Sequence, residues 1–155
     1  MSDNLDDLYR DILMEHYRFP RGHHHLEHED IHNEGQNPTC GDEIELALEL
    51  EGDRVKDVYV SCMGCAVSVA SGSMLAEVTK GKTLEEVKKI AATIKAMLTG
   101  EAVPKDADLG DLEALSGVKK FPVRVKCALL SWTTLVNALE AREKGKEKAP
   151  STTEQ

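Results

Sequence analysis

Glu43-Ile-Glu-Leu-Ala-Leu-Glu-Leu-Glu51, followed by Gly52-Asp53 and then Arg54-Val-Lys-Asp-Val-Tyr-Val-Ser61, is the stretch that decides the fold. Its first half alternates acidic and aliphatic side chains, the period of a strand with one wet and one dry face. Gly52-Asp53 makes a short turn, and Val55, Val58, Tyr59 and Val60 return on a second strand, so the segment reads as a β-hairpin over about 43–61 with one polar face. With a two-residue loop Cys40 falls opposite Cys65. With a three-residue loop Leu46 meets Val60 and Leu48 meets Val58, which keeps the apolar face together and is preferred. In either register Cys40 lies within about one residue of Cys65 across the ladder, and Asp42, two residues on, points to the same side as Cys40 if the chain is extended.

Outward from the hairpin the chain turns helical. Before it, Leu5, Leu8, Ile12 and their neighbours predict a helix from about Asn4 to Tyr17, ended by Pro20. Residues 18–39 are polar and turn-rich, with room for one short edge strand near Asp30 to Glu34. After it, Ala66 to Thr79 is a run of small and aliphatic residues suited to a helix packed closely on the sheet, and Thr83 with Glu86 forms a capping box for a helix from about Leu84 to Leu98. A short amphipathic piece spans Leu109 to Leu115, and Pro122 opens a last helix carrying Leu129, Trp132, Leu135 and Leu139. The expectation is a two-layer α+β domain over residues 1–141, a small antiparallel sheet covered by several helices, with 142–155 a flexible polar tail.

The 155 residues carry 19 bases and 28 acids, a net charge of −9, unevenly placed. Residues 1–51 hold fourteen acids against Arg10, Arg18 and Arg21, a net −11, which leaves +2 for the rest. Such a chain repels phosphate backbones, so nucleic acid is not an expected partner. No apolar run approaches the roughly 18 residues of a membrane span, and no apolar leader follows the acidic start, so a cytoplasmic, reducing location is expected.

In that compartment four cysteines read as buried small residues, metal ligands or reactive thiols. Cys40, Asp42 and Cys65 converge at the open end of the hairpin. Cys65 precedes one helix and Cys127 lies in the first turns of another, where helix N-termini favour thiolates. Cys127 joins the group provided the last helix covers the sheet. Three thiolates and a carboxylate suit tetrahedral Zn²⁺ and are also compatible with iron–sulfur chemistry; spacing does not choose between them.

Asn37-Pro-Thr-Cys-Gly-Asp42, Gly64-Cys-Ala-Val-Ser-Val-Ala-Ser71, Asp108-Leu-Gly-Asp-Leu-Glu-Ala-Leu115 and Phe121-Pro-Val-Arg-Val-Lys-Cys127 closely resemble the NifU-N/IscU family of iron–sulfur cluster assembly proteins, over about residues 5–140. The scaffold type of that family carries His directly before the third cysteine and a shorter connection ahead of it. Here the position is Lys126 and the 109–115 segment is added, which is similar to the SufU branch. The resemblance implies Zn²⁺ held by Cys40, Asp42, Cys65 and Cys127, with Cys40 accepting persulfide sulfur from a SufS-type cysteine desulfurase for downstream iron–sulfur assembly machinery. It implies Arg124 beside the metal, with Lys126 in support. The alternative is an IscU-type scaffold that assembles a [2Fe-2S] cluster on the same ligands.

Two features lie outside the pattern. Position 62, glycine in the family, is Cys, which gives Cys62-Met-Gly-Cys65. A small residue at a strand end is the favoured reading, against substitution for Asp42 or a sulfur relay. His23, His24, His25, His28 and His32 lie among Glu27, Glu29, Asp30 and Glu34, and read as a solvated, pH-sensitive loop, against weak Zn²⁺ or Ni²⁺ binding.

Overall fold

A computed structural model describes residues 2–104, 109–144 and 151–152. Asp108 of the third motif and residues 145–150 and 153–155 of the expected tail lie outside the described residues.

The predicted hairpin is the pair β2 (Asp42–Glu51) and β3 (Arg54–Met63), and both readings of its turn are partly realised. At the tip Glu51 pairs with Arg54 across a two-residue turn, with Gly52 at φ +65° as a glycine-first turn requires. Lys56 then bulges out, and from Glu49–Asp57 onward the ladder runs Leu48–Val58, Leu46–Val60 and Ile44–Cys62, the register that keeps the apolar side chains together. Leu46 and Leu48 are fully buried on that face.

The expected edge strand near Asp30 to Glu34 is β1 (Ile31–Asn37), which runs three residues past Glu34 and lies inside the sheet, whose order is β3-β2-β1 with β4 (Ser151–Thr152) beyond. Its inward positions are Ile31, Asn33, Gly35 and Asn37, so it buries polar groups where hydrophobic patterning looks for aliphatic ones. Of the segment expected to be flexible, Ser151–Thr152 form β4, parallel to β1 at Gly35 and Gln36.

The helices are α1 (Ser2–Arg18), α2 (Ala66–Thr79), α3 (Leu84–Thr99) with the predicted Thr83/Glu86 capping box, and α4 (Pro122–Glu143). The amphipathic piece is a 3₁₀ helix, Gly110–Val118. α2 and α4 cover one face of the sheet, α1 packs on α2 and α3 on α4, an α+β arrangement with its core between sheet and helices. Ser71 fastens the two covering helices together: its hydroxyl donates to Ala128 O (2.6 Å) and accepts from Trp132 Nε1 (3.1 Å). Among the described residues no helix is long and apolar enough to cross a membrane.

The histidine loop has a structural task. Gly22 O accepts Val60 N–H on the outer edge of β3, and His23 and His25 stack on Tyr59 at 6.3 and 5.2 Å between ring centroids. His24, His28 and His32 each meet a different carboxylate, Asp57, Asp30 and Glu45, so the five imidazoles are dispersed around the sheet. The loop thereby covers a strand edge that would otherwise be open to pairing.

Candidate metal centre

The site is assembled by three separate local devices. Asn37 O accepts the amides of Cys40 (3.2 Å) and Gly41 (2.9 Å), and Gly41 takes φ +75°, so a tight turn closes β1 onto β2 and presents Cys40 at its tip. Asp42, first residue of β2, points inward and is 1% exposed. Cys65 is the N-cap of α2, and its amide donates to Asp42 Oδ1 at 2.9 Å. A Cβ at position 64 would overlap the Asp42 carboxylate, so Gly64 leaves the space that the buried acid fills.

Cys127, in the second turn of α4, is fully buried. Its arrival is explained by β1. Asn33 Nδ2 donates to Thr134 O (3.0 Å), Gly35 lies against Thr134 and Leu130, and Asn37 Nδ2 donates to Cys127 Sγ (3.6 Å) and to Asp42 Oδ2 (3.3 Å). The inward positions of the strand thus step along one face of α4 and end at the cysteine.

One donor atom from each of Cys40, Asp42 and Cys127 lies within 4.8 Å of the others. Cys65 stands outside that tight group and is bonded into it through Cys127, with Ser68 Oγ at 3.5 Å from its sulfur. Arg124, one turn before Cys127, faces the Cys65 and Cys127 sulfurs, whose negative charge raises the guanidinium's own pKa. Lys126 is half-buried beside Cys127 on the helix.

The electrostatics are those of an acid and thiols crowded together in a largely buried pocket. Burial opposes the charge of Asp42, yet hydrogen bonds from Ser68, the Cys65 amide, Cys127 and Asn37 hold its carboxyl below the usual range. Burial, Asp42 and the neighbouring thiols push the Cys127 thiol strongly upward. Cys65 is lowered: burial raises it, but hydrogen bonds from Ser68 and Cys127 outweigh that. Asn37 Oδ1 is buried with no hydrogen-bond partner among the described residues.

Asn37, Ser68 and Gly64 were not singled out by sequence patterning. Asn37 heads the Cys40 motif and Ser68 sits three residues after an N-cap, a spacing that marks helix-start contacts. Cys62 pairs with Ile44, sits 3.9 Å from the Cβ position of Gly72 and has its thiol pushed to about 12 by burial, Asp42 and Cys65. It faces the sheet–α2 interior as a small packed residue.

The NifU-like N-terminal domain model matches residues 8–128. The chain belongs to that family. It is 43% identical over 142 residues, 92% of this chain and 96% of the other, to the zinc-dependent sulfurtransferase SufU of Bacillus subtilis (strain 168). It is 36% identical to the iron–sulfur cluster assembly scaffold protein IscU of Streptococcus pyogenes serotype M1, covering 88% and 85% of the two chains. A crystal structure from Fervidobacterium islandicum AW-1, assigned to iron–sulfur cluster assembly for the SUF system, superimposes with a TM-score of 0.78 at 34% identity, over 83% of this chain and 93% of that one. The NifU-like fold and the family's place in iron–sulfur cluster assembly are therefore shared with relatives that cover most of the chain.

Proposed function

We propose that this NifU-like protein is a zinc-dependent sulfur carrier of iron–sulfur cluster assembly, with Zn²⁺ held by Cys40, Asp42, Cys65 and Cys127 and sulfur accepted on Cys40. The observation that carries the reading is the prebuilt set of two thiols and a carboxylate within 4.8 Å, with a third thiol hydrogen-bonded to it and the buried Asp42 carboxyl held below its usual range. Those donors fit Zn²⁺, which when bound stabilises thiolates without redox chemistry of its own.

The chain's own residues supply the rest. Asp42 and Cys127 are buried and hydrogen-bonded, and Cys65, half-exposed like Cys40, is held as the N-cap of α2, whereas Cys40 sits on a turn, so Cys40 is the ligand that can move to a partner. Its thiolate attacks the outer sulfur of a persulfide on a SufS-type cysteine desulfurase. A new S–S bond forms at Cys40, the donor's S–S bond breaks, and the donor cysteine leaves as thiolate, with no net oxidation. Arg124 offers positive charge to the sulfurs that remain. Met63, Phe121 and Val123, 70%, 52% and 49% exposed, flank Cys65 and Arg124 in sequence and suit a protein partner. Sulfur then passes to downstream assembly machinery.

The S. pyogenes relative supports a second reading, a [2Fe-2S] scaffold on the same ligands. Lys126 weighs against it, because an ammonium replaces the imidazole that the scaffold type carries beside its third cysteine. Metal analysis after anaerobic purification, run with a desulfurase assay, separates the two. About one zinc per chain, strong stimulation, and loss of protein persulfide in Cys40→Ala are expected. A bound iron–sulfur chromophore without stimulation would select the scaffold.

A further inference from the structure

His16 is fully buried on α1 and is not used by the cysteine site. Its Nδ1 is 2.7 Å from Ser73 Oγ, and its Nε2 is 3.2 Å from Asp111 Oδ2 and 3.9 Å from Glu77 Oε1. One donor atom from each of His16, Glu77 and Asp111 lies within 4.8 Å of the others, and the three come from α1, α2 and the 3₁₀ helix. From these contacts we infer that His16, Glu77 and Asp111 form a second site, for a divalent first-row transition ion.

The hydrogen bonding around Ser73 prepares the imidazole for that role. Ser73 Oγ already accepts the Arg21 amide (2.8 Å) and has a second lone pair for Nδ1–H. A ligating histidine typically gives its other N–H to such an acceptor, which fixes the tautomer and leaves Nε2 as a bare lone pair. Here Nε2 faces two carboxylates: in the Nε2–H tautomer it donates to Asp111, and an ion would take the place of that proton. The spacing also suits coordination: donors about 2.1 Å from an ion stand about 3.0 Å apart in an octahedron and about 3.4 Å apart in a tetrahedron. The His16–Asp111 distance of 3.2 Å falls between these values, and Glu77 has to close by roughly half an ångström. Its side chain is 49% exposed, and its other oxygen is paired with Arg21 Nε at 3.4 Å, a contact that the shift has to keep or give up.

A cleft of about 400 Å³ lined by Glu77, Asp111, Leu109 and Lys82 adjoins the carboxylates and leaves room for water ligands. One imidazole and two carboxylates make a harder donor set than the thiol-rich centre, suited to Mn²⁺, Fe²⁺ or Zn²⁺. The two sites occupy opposite ends of α2, which Cys65 caps and Glu77 nearly ends, about 18 Å apart along the axis. An ion at the second site would clamp α1 and the 3₁₀ helix onto the helix that carries Cys65.

Mn²⁺ is the probe of choice because it avoids thiolates. Titrating the full chain with Mn²⁺ and following free ion by electron paramagnetic resonance should give one saturable site. Glu77→Gln with Asp111→Asn should weaken it at least tenfold, and Cys40→Ser should leave it unchanged. In the wild-type protein, Mn²⁺ should broaden the His16 ring proton signals first, a readout independent of any variant's folding. Competition by Fe²⁺ under anaerobic conditions and by Zn²⁺ then ranks the ions. The assignment is overturned by no saturable binding, by binding that survives the double substitution, by binding lost in Cys40→Ser, or by His16 signals that stay sharp.

Discussion

Gly35→Ala tests whether the close approach of β1 to α4 builds the candidate centre. A Cβ at position 35 would overlap the Thr134 hydroxyl and come within 3.2 Å of Ile44 Cγ2 and 3.3 Å of Leu130 Cδ1. None of these neighbours yields easily: Thr134 Oγ1 donates to Leu130 O at 2.8 Å, and Ile44 and Leu130 are 3% and 1% exposed. Overpacking of this kind costs about 1–3 kcal/mol. The overlap with Thr134 puts the cost in the upper half of that range, and after the roughly 0.5–1 kcal/mol of backbone entropy that alanine recovers in a strand the net loss is about 1–2 kcal/mol. In a domain of this length that lowers Tm by about 2–8 °C. Thr134→Ala removes the worst overlap, so in that background Gly35→Ala should cost about half as much, a coupling near 1 kcal/mol. Urea unfolding of the four proteins measures the cycle. Because β1 delivers Asn37 to Cys127 and Asp42, bound metal per chain should fall in Gly35→Ala and recover in the double variant. Equal costs in the two backgrounds, or no cost at all, would refute the packing argument.

Further outcomes follow from single contacts. Gly64→Ala should displace the Asp42 carboxylate and lower metal content while leaving the circular dichroism spectrum intact; wild-type metal content would show that the acid has room to move. Cys62→Ser should keep full metal content and cost about 1–2 kcal/mol for a hydroxyl placed in a half-apolar site, whereas Asp42→Ala should lose metal. The Leu50 amide donates to Asp30 Oδ2 at 2.7 Å and, with the nearby His28, depresses that carboxyl. Its contribution is therefore present above the unfolded carboxyl value of about 3.9 and lost as pH falls through the lower folded value. Asp30→Asn should accordingly be about 1 kcal/mol less stable at neutral pH, with urea midpoints that converge with wild type below about pH 3. Lys119 and Lys120 are exposed directly before Phe121 and add positive charge beside the site, so Lys119→Glu with Lys120→Glu should slow association with a cysteine desulfurase at low salt and not at high salt; salt-independent rates would show that these lysines do not steer the partner.

What was legible in the sequence depended on whether apolar spacing carried the information. β2, β3 and α2–α4 have aliphatic periodicity or an explicit cap, and they lie where that patterning places them. β1 is different, because its inward residues after Ile31 are Asn33, Gly35 and Asn37. Each has a specific partner on α4 or at the centre, and a glycine and two asparagines look like loop until those partners are in view. The 3₁₀ helix was visible as an amphipathic piece but not as a carrier of Asp111 toward His16. That contact links residues 95 apart, with no local signal to announce it. The convergence of Cys40, Asp42 and Cys65 could be read because the hairpin turn fixes register at a distance.

The bulge at Lys56 makes that register functional. Without it, the two-residue turn would carry its own pairing to the open end, and Met63 would stand opposite Asp42. With it, β3 advances by one residue and the register, continued past Glu43–Met63, sets Gly64 opposite Asp42. This is the one side-chain-free position in Cys62-Met-Gly-Cys65, and any Cβ there meets the carboxylate. The buried acid can then accept the Cys65 amide at 2.9 Å, which places the N-cap thiol of α2 beside Cys127. A single extra residue near the tip thus sets which side chain faces the acid some seven residues away. It thereby brings Cys40 and Asp42, in the strongly acidic first third of the chain, to Cys127, which follows the bases Lys119, Lys120, Arg124 and Lys126.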